Sequence, residues 1–138
     1  MASMIRLVYV STAAANLSES DLDDLLREAV ARNAGLGVTG LLVYNGRNFM
    51  QALEGAPDAV LDLMTSISGD HRHSGVIVIS REQVAERAFP DWSMKLTQTE
   101  RAQGRPENLL LTNGIDYSIV ATMPPNLATL FTNFNTLQ

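Results

Sequence analysis

The sequence predicts an α+β fold, in which a βαββαββ sheet carries two helices on one face and a C-terminal helical segment on the other. Three observations support this prediction: segments that alternate apolar and polar residues, segments with apolar residues at helical spacing, and the order of these segments along the chain. A βαββαβ order places both crossover helices on the same face of the sheet. Because the opposite face is apolar too, we expect the C-terminal helix to cover it.

The first strand and the first helix lie at the N-terminus. Alternation in Ile5–Ser11 predicts a strand, with Tyr9 on one of its faces. Ser18, followed three residues later by Asp21, is close to a capping box and begins a helix. The apolar stripe of this helix consists of Leu22, Leu25, Leu26, Ala29 and Val30. Extending the stripe by three residues reaches Asn33, so we expect this side chain to face the sheet from the last turn.

A β-hairpin is predicted around Asn45-Gly46, because both central residues of a type I′ turn need a positive φ. A two-residue turn pairs Gly40 with Gln51. Strand alternation places Gln51 on an apolar face, where an amide that lacks partners costs about 1–3 kcal/mol. Since the glycine opposite has no side chain, we expect room for a flat ligand beside the amide.

The second half of the chain is predicted to form a helix, two strands and a terminal helix. The helix starts at Pro57, a residue that suits a first turn. Its apolar stripe consists of Val60, Leu61, Met64 and Ile67. The strands are predicted at Gly75–Ser80 and Ser93–Leu96. After a polar stretch, a helical turn is predicted near Pro106–Leu111, and a longer helix begins near Pro124.

Composition excludes several classes of function. The chain has 138 residues, enough for one domain with a sizeable core. Its formal net charge of −5 argues against nucleic-acid binding through phosphate neutralisation. The absence of cysteine excludes disulfides, thiolate nucleophiles and cysteine metal sites. No apolar stretch reaches the ~18–20 residues of a membrane span, and the N-terminus does not resemble a signal peptide. We therefore expect a cytoplasmic protein that binds neither nucleic acid nor membrane.

Three polar side chains, Tyr9, Asn33 and Gln51, are predicted to converge between the sheet and the helices. Each alone has a structural explanation: a core tyrosine, a residue at a helix C-terminus and a buried amide with internal partners. Together they favour a site for a neutral, flat ligand edged with donors and acceptors. His71 and His73 lie in a charged loop, where we expect solvated side chains rather than metal ligands.

Six segments of the chain resemble the BLUF domain family, which senses blue light using FAD. They are LVYVS at Leu7–Ser11, LSESDLDDLL at Leu17–Leu26, RN and GVTGLLVYNG between Arg32 and Gly46, FMQALEG at Phe49–Gly55, DHRH at Asp70–His73, and RAFPDWSM at Arg87–Met94. The resemblance covers residues 4–97 and is specific, because the key residues occur in the order and spacing of the family.

The resemblance implies a ferredoxin-like fold that holds the isoalloxazine ring of FAD between the two helices, over the sheet. FMN or riboflavin could replace FAD in recombinant material. Tyr9 matches the photoactive tyrosine of the family, Gln51 the glutamine that bonds the tyrosine and the flavin, and Asn33 the asparagine at the polar edge of the ring. Asp70 and Arg72 lie in the motif near the ribityl and phosphate end.

Two further features concern signalling and the flavin tail. Trp92 and Met94 match the pair on the last strand that responds to the switched glutamine. Ser66 departs from the family, since some members carry a flavin-binding arginine there. The resemblance therefore leaves open how this chain holds the ribityl–phosphate tail.

The function implied by the resemblance is that of a blue-light photoreceptor and not of an enzyme. Residues 1–97 would form the photosensor and residues 98–138 a helical cap for output, acting on an unidentified signalling protein or through a homo-oligomer. One alternative is a small ferredoxin-like enzyme, such as a cofactor-free oxygenase, which should hold a histidine or carboxylate in the same pocket. The sequence predicts neither group there. Another is an interaction module that binds no ligand.

Overall fold

The structure is a computed structural model that describes residues 3–44, 46–88, 95–98, 109–111 and 124–132. Its strands and helices follow the predicted order, with one additional strand. They are β1 (Met4–Ala13), α1 (Glu19–Leu36), β2 (Thr39–Tyr44), β3 (Asn48–Gly55), α2 (Pro57–Ser68), β4 (His73–Val84), β5 (Lys95–Gln98), β6 (Leu109–Leu111) and α3 (Pro125–Thr132). Among the described residues, no helix is both long enough and apolar enough to cross a membrane.

The strands form one sheet in the order β4-β1-β3-β2-β5-β6. β1 pairs antiparallel with β3 and β4, and β2 pairs antiparallel with β3. β5 and β6 extend the sheet with parallel pairing. The first four strands therefore have the β4-β1-β3-β2 order of a ferredoxin-like fold, which confirms the predicted α+β class.

Two apolar cores lie on opposite faces of the sheet. On the face that bears Tyr9, here called the helix face, the sheet packs against α1 and α2. On the opposite face, here called the far face, the core consists of Val8, Leu41, Val43, Met50, Ala52 and Leu127. Leu127 belongs to α3 and is only 2% exposed. The C-terminal helix thus covers the far face, as the sequence predicts.

Helix α1 begins where the capping box predicts. The Asp21 amide donates to Ser18 Oγ, and the Ser18 amide donates to Asp21 Oδ2, each over 3.0 Å. These bonds satisfy amide groups that the first turn leaves without helical partners. The buried positions are Leu22, Leu26, Ala29 and Asn33. Leu25 and Val30, predicted in the apolar stripe, are only partly buried.

Helix α2 buries a different set of residues from the one predicted. Its buried side chains are Val60, Leu63, Met64 and Ile67. Leu61 is 37% exposed, so its predicted place in the apolar stripe is wrong. The buried set has i, i+3, i+4, i+7 spacing, which lies on one side of a helix. Leu61 falls outside that arc.

The predicted register of the hairpin is wrong by two residues. Tyr44 pairs with Phe49, and Gln51 lies opposite Leu42, while Gly40 lies opposite Leu53. The loop is longer than two residues because the start of the returning strand is held by β1. The Ala13 amide donates to the Arg47 carbonyl over 2.8 Å, and Asn48 Nδ2 donates to the Ser11 carbonyl over 3.3 Å.

The register shift has a limited effect on the site. Side chains alternate with a period of two, so a shift of two residues leaves Gln51 on the helix face. It does remove Gly40 from the position opposite the amide. Space beside Gln51 therefore cannot be attributed to that glycine.

In the C-terminal part of the chain, one predicted helical turn is wrong and one predicted strand is observed in part. Leu109–Leu111 forms a strand parallel to β5, where a helical turn was predicted. The reason is that a short leucine run fits either structure, and here β5 offers it a pairing edge. The strand predicted at Ser93–Leu96 is observed at Lys95–Gln98. Its first two predicted residues lie outside the described part of the chain.

Candidate functional site

A cavity lies between the helix face of the sheet and helices α1 and α2. Its wall combines apolar side chains with phenol, amide, guanidinium, carboxylate and imidazole groups. The lining residues are Tyr9, Leu25, Ala29, Arg32, Leu42, Phe49, Gln51, Ile67, Asp70, Arg72 and His73. An apolar wall with a few convergent polar groups is typical of small-molecule sites.

Tyr9 and Gln51 form the centre of this wall. They are direct cross-strand partners on β1 and β3, and each is only 3% exposed. The Tyr9 hydroxyl donates a hydrogen bond to Oε1 of Gln51. Burial raises the pKa of Tyr9 well above its ordinary value of 10.0, so the phenol is neutral at physiological pH. The pair therefore consists of a protonated phenol and an amide whose oxygen accepts and whose nitrogen donates.

His73 also belongs to the site, which corrects the prediction that its side chain is solvated. Its Nε2 lies 2.6 Å from the Ile67 carbonyl, and its Nδ1 lies 2.8 Å from Ser11 Oγ. A carbonyl oxygen can only accept, so Nε2 carries the proton. In the neutral ring, Nδ1 accepts from the Ser11 hydroxyl. The ring meets that of Tyr9 edge-on, with centroids 6.1 Å apart.

His73 was assigned to a loop because the sequence predicts the strand from Gly75, whereas β4 begins at His73 and contains a β-bulge. The pairing of β1 with β4 shifts between Val10 and Thr12, next to Gly75. Gly75 has a φ of 64°, a conformation that favours glycine. The extra residue changes the alternation, and His73 reaches the cavity although simple alternation does not predict it. A glycine near the start of a strand was the available signal.

Asp70 and Arg72 close the loop between α2 and β4. Asp70 Oδ1 accepts from the backbone N and Nε of Arg72, both at 2.9 Å, and Oδ2 accepts from the guanidinium at 2.6 Å. These hydrogen bonds lower the pKa of Asp70 from 3.8 to about 2. Arg72 also donates to Glu28 of α1 over 2.9 Å. The guanidinium is thus held at the cavity wall by two carboxylates.

Asn33 is buried next to the cavity wall but is not one of the residues that line it. It is fully buried in the last turns of α1. Among the described residues, however, the cavity wall includes its neighbour Arg32 and not Asn33. Arg32 Nε lies 3.5 Å from Asn33 Oδ1. Arg32 follows the wall residues Leu25 and Ala29 by seven and three residues, so helical spacing also places it on this side of α1. It was missed because the stripe was extended only to Asn33.

The remaining predicted site residues lie away from the cavity or outside the described chain. Ser66 is exposed on α2, and its carbonyl accepts from the Gly69 amide over 3.2 Å. Trp92 and Met94 lie outside the described residues. The structure therefore brings Tyr9 and Gln51 together with the Asp70–Arg72 pair.

The groups at the wall fit the polar edge of a flavin. That edge presents both acceptors and a donor, and the wall offers a phenol, an amide and a guanidinium. The cavity volume is about 30 Å³, so a three-ring ligand requires the wall to widen. Arg32 is a long side chain at the wall and can change rotamer.

Comparisons with known proteins identify the family of this arrangement. Residues 4–95 match the family model described as sensors of blue light using FAD, BLUF. A photoactivated adenylate cyclase subunit beta from Euglena longa is 38% identical over 93 residues, which is 67% of this chain and 11% of that protein. The corresponding subunit from Euglena gracilis is 36% identical over 93 residues, again 67% of this chain and 11% of that protein. The chain thus spans about a tenth of the length of these curated relatives.

Solved structures are similar over most of the chain. The dark state of BlrB, a BLUF protein, has a TM-score of 0.70 at 29% identity and covers 94% of this chain and 85% of that one. The photo-activated state of BlsA has a TM-score of 0.70 at 26% identity, with 98% and 96% covered. A Klebsiella pneumoniae BlrP1 structure with FMN and cyclic diGMP has a TM-score of 0.79 at 29% identity, with 97% and 35% covered.

Proposed function

The chain belongs to the BLUF family of blue-light flavin sensors, and from this membership we propose that it binds FAD non-covalently and signals to a protein partner through a light-driven hydrogen-bond switch. The observation that carries the proposal is the buried hydrogen bond from Tyr9 to Gln51 in the wall of the cavity. Such a switch requires an electron donor, here Tyr9, and an amide that can both donate and accept hydrogen bonds, here Gln51, with both groups shielded from water.

The proposed flavin-binding residues are Tyr9, Asn33, Gln51, Asp70 and Arg72. Tyr9, Gln51, Asp70 and Arg72 are supported by their place in the cavity wall, and Asn33 by its burial beside the wall residue Arg32. FAD is the proposed natural cofactor, with FMN or riboflavin as possible replacements in recombinant protein. Arg72 supplies a fixed positive charge, since Asp70 and Glu28 hold its side chain in place.

The proposed mechanism uses the chemistry of two side chains. When bound, the flavin would supply a strong oxidant under blue light. Tyr9 would be the donor of an electron and then a proton to it, and both would return to Tyr9, so no bond would be permanently formed or broken. During the return, the amide of Gln51 rotates or tautomerises, which exchanges the donor and acceptor that it presents to Tyr9. The light state is therefore a changed hydrogen-bond pattern that relaxes in the dark.

We propose that the signal leaves the site through the strand after β4 and the C-terminal helix. Trp92 and Met94 are the residues proposed to respond to the switched Gln51. Residues 1–97 would form the photosensor, and residues 98–138 would form the output extension. In the curated relatives, the names join photoactivation to adenylate cyclase subunits. For this chain we propose that the partner is a signalling protein. We also propose that the chain forms a homo-oligomer.

The alternative function is that of a small enzyme that uses the same cavity. The sequence predicts neither a histidine nor a carboxylate there, and this prediction is wrong, because His73 and Asp70 line the wall. Both groups are nevertheless engaged: Asp70 by Arg72, and His73 by Ser11 and Ile67. We therefore propose that the chain is not an enzyme, since a general base needs access to a substrate proton.

Tyr9→Phe tests the proposal. Without the hydroxyl, the ring still fills its place but cannot deliver a proton, so flavin should bind and the light-induced red shift should vanish. Gln51→Leu should bind flavin and lack the red-shifted state as well. The measurement is a light-minus-dark absorption spectrum of each purified variant.

Tyr44→Phe is the matched control for these variants. Tyr44 is buried in the helix-side core and stacks on Phe49 with ring centroids 4.8 Å apart. Its variant should keep the red shift. A normal photocycle in Tyr9→Phe would refute the assignment of Tyr9, and a normal shift in Gln51→Leu would remove Gln51 from the mechanism.

A further inference from the structure

A second cross-strand pair lies on the same two strands as the photoactive pair. Tyr9 is opposite Gln51, and three residues away Arg6 is opposite Glu54. Three residues along a strand span about 10 Å, and an odd separation places the second pair on the far face. Any shift of β1 against β3 at the first pair therefore also acts on the second.

The second pair is ionic and buried. Glu54 is 0% exposed and Arg6 is 4% exposed. Arg6 Nε donates to Glu54 Oε2 over 2.7 Å. A buried charge that loses its partner is strongly unfavourable, so the two side chains must move together or not at all. The pair is thus a stiff connection between β1 and β3 on the far face.

Glu54 also holds the chain that leaves β4. The same Oε2 accepts from the Ala88 amide over 2.8 Å. Arg87 donates to the Glu54 carbonyl over 2.9 Å and to the Gly37 carbonyl over 2.8 Å. β4 lies at one edge of the sheet and β5 pairs with β2, so the chain after β4 has to cross the end of the sheet to reach β5. Glu54 anchors this crossing segment, defined here as residues 85–88.

Arg6 extends the network to α3. Its NH1 donates to Glu82 Oε1 of β4 over 2.9 Å. Asn126 Nδ2 of α3 lies 3.4 Å from the same oxygen. Ala88 packs on the far-face core that contains Leu127. The crossing segment therefore meets the buried ion pair directly at Glu54, and α3 is connected to it through Glu82, which pairs with Arg6.

We propose that Glu54, paired with Arg6, is a positioning residue that transmits the rearrangement at Tyr9 and Gln51 to the crossing segment and to α3. This inference rests on the proposed photoreceptor function. This route differs from the proposed output through Trp92 and Met94. It requires the Arg6–Glu54 pair on the far face, which the signal would reach before those two residues.

The test is hydrogen exchange of the full flavin-loaded chain in the dark and under blue light, for the wild type and for Glu54→Gln. Glutamine keeps an oxygen acceptor for the Ala88 amide but removes the charge that pairs with Arg6. The wild type should show a light-dependent change of exchange in residues 85–88 and 124–132. Glu54→Gln should keep the red shift and lose that change.

Asp24→Asn is the matched control, because it removes the carboxylate of an exposed ion pair with Arg27 on α1. It should keep both the red shift and the light-dependent exchange. Retention of the light-dependent exchange in Glu54→Gln would overturn the inference. So would its absence from the wild type, a measurement that does not depend on the folding of any variant. A wild type without a red shift would instead overturn the proposed function.

Discussion

At the scale of single residues, the proposed switch depends on one neutral phenol and one amide. Tyr9 and Gln51 lie opposite each other on β1 and β3, and both are almost completely buried. Burial keeps the phenol protonated by raising its pKa. Tyr9 therefore remains a hydrogen-bond donor in the dark over the physiological pH range.

The Asp70–Arg72 pair gives a prediction for acid stability. The pKa of Asp70 is lowered from 3.8 to about 2 by hydrogen bonds from Arg72. A carboxyl whose pKa is lowered by folding stabilises the fold above its unfolded pKa, and this contribution disappears as the pH falls through the folded value. Asp70→Asn should therefore destabilise the protein at pH 6, by about 1 kcal/mol for a partly exposed pair, and progressively less between pH 4 and 2.

Urea unfolding at fixed flavin concentration measures this difference at each pH. In an Arg72→Met background, the effect of Asp70→Asn should depend less on pH between pH 4 and 2, since the guanidinium bonds that mainly lower the pKa of Asp70 are absent while the backbone amide of residue 72 remains. An equal effect of Asp70→Asn at pH 6 and pH 2 in the otherwise unchanged chain would contradict the account.

The sequence predicts residue positions best where strand alternation is undisturbed. Gln51 lies on the predicted face even though the register differs by two residues, because such a shift preserves the face. The side chain of His73 was predicted to be solvated because the sequence pattern begins the strand at Gly75, whereas β4 begins at His73. The sequence pattern also does not reveal the ion pair between Arg6 and Glu54, which lie 48 residues apart in the chain. A contact of that kind depends on strand pairing that no local pattern contains.

At the scale of elements, the pattern predicts a helix or strand well where a cap or a long stripe defines it. The capping box at Ser18 fixes the start of α1, and Pro57 that of α2. Short apolar runs such as Leu109–Leu111 are ambiguous, because their length fits a strand or a helical turn. The hairpin loop was misjudged because contacts with β1, rather than the Asn-Gly preference alone, determine where the pairing starts.

Helix α3 gives a prediction at this scale. Leu127 is buried in the far-face core at 2% exposure. Leu127→Ala should lower the free energy of unfolding by about 2–5 kcal/mol through lost burial and a residual cavity. Thr129→Ala, at an exposed position of the same helix, should change it by no more than about 0.5 kcal/mol. Urea unfolding compares them, and similar stabilities for both variants would mean that α3 does not depend on the far face.

At the scale of the whole molecule, one sheet separates the face that carries the cavity from the face that α3 covers. The helix face carries the cavity, and the far face carries α3 and the Arg6–Glu54 pair. Strands β1 and β3 are shared by both faces and form the physical connection between them.

Light sensing by a bound flavin can be tested with an absorption spectrum of the purified wild-type protein, recorded in the dark, after blue light and again after dark recovery. The protein should be yellow and flavin-bound, with a spectrum that shifts slightly to the red and then returns. A colourless protein that added FAD cannot reconstitute, or a flavin-bound protein whose spectrum does not respond to light, would contradict this prediction.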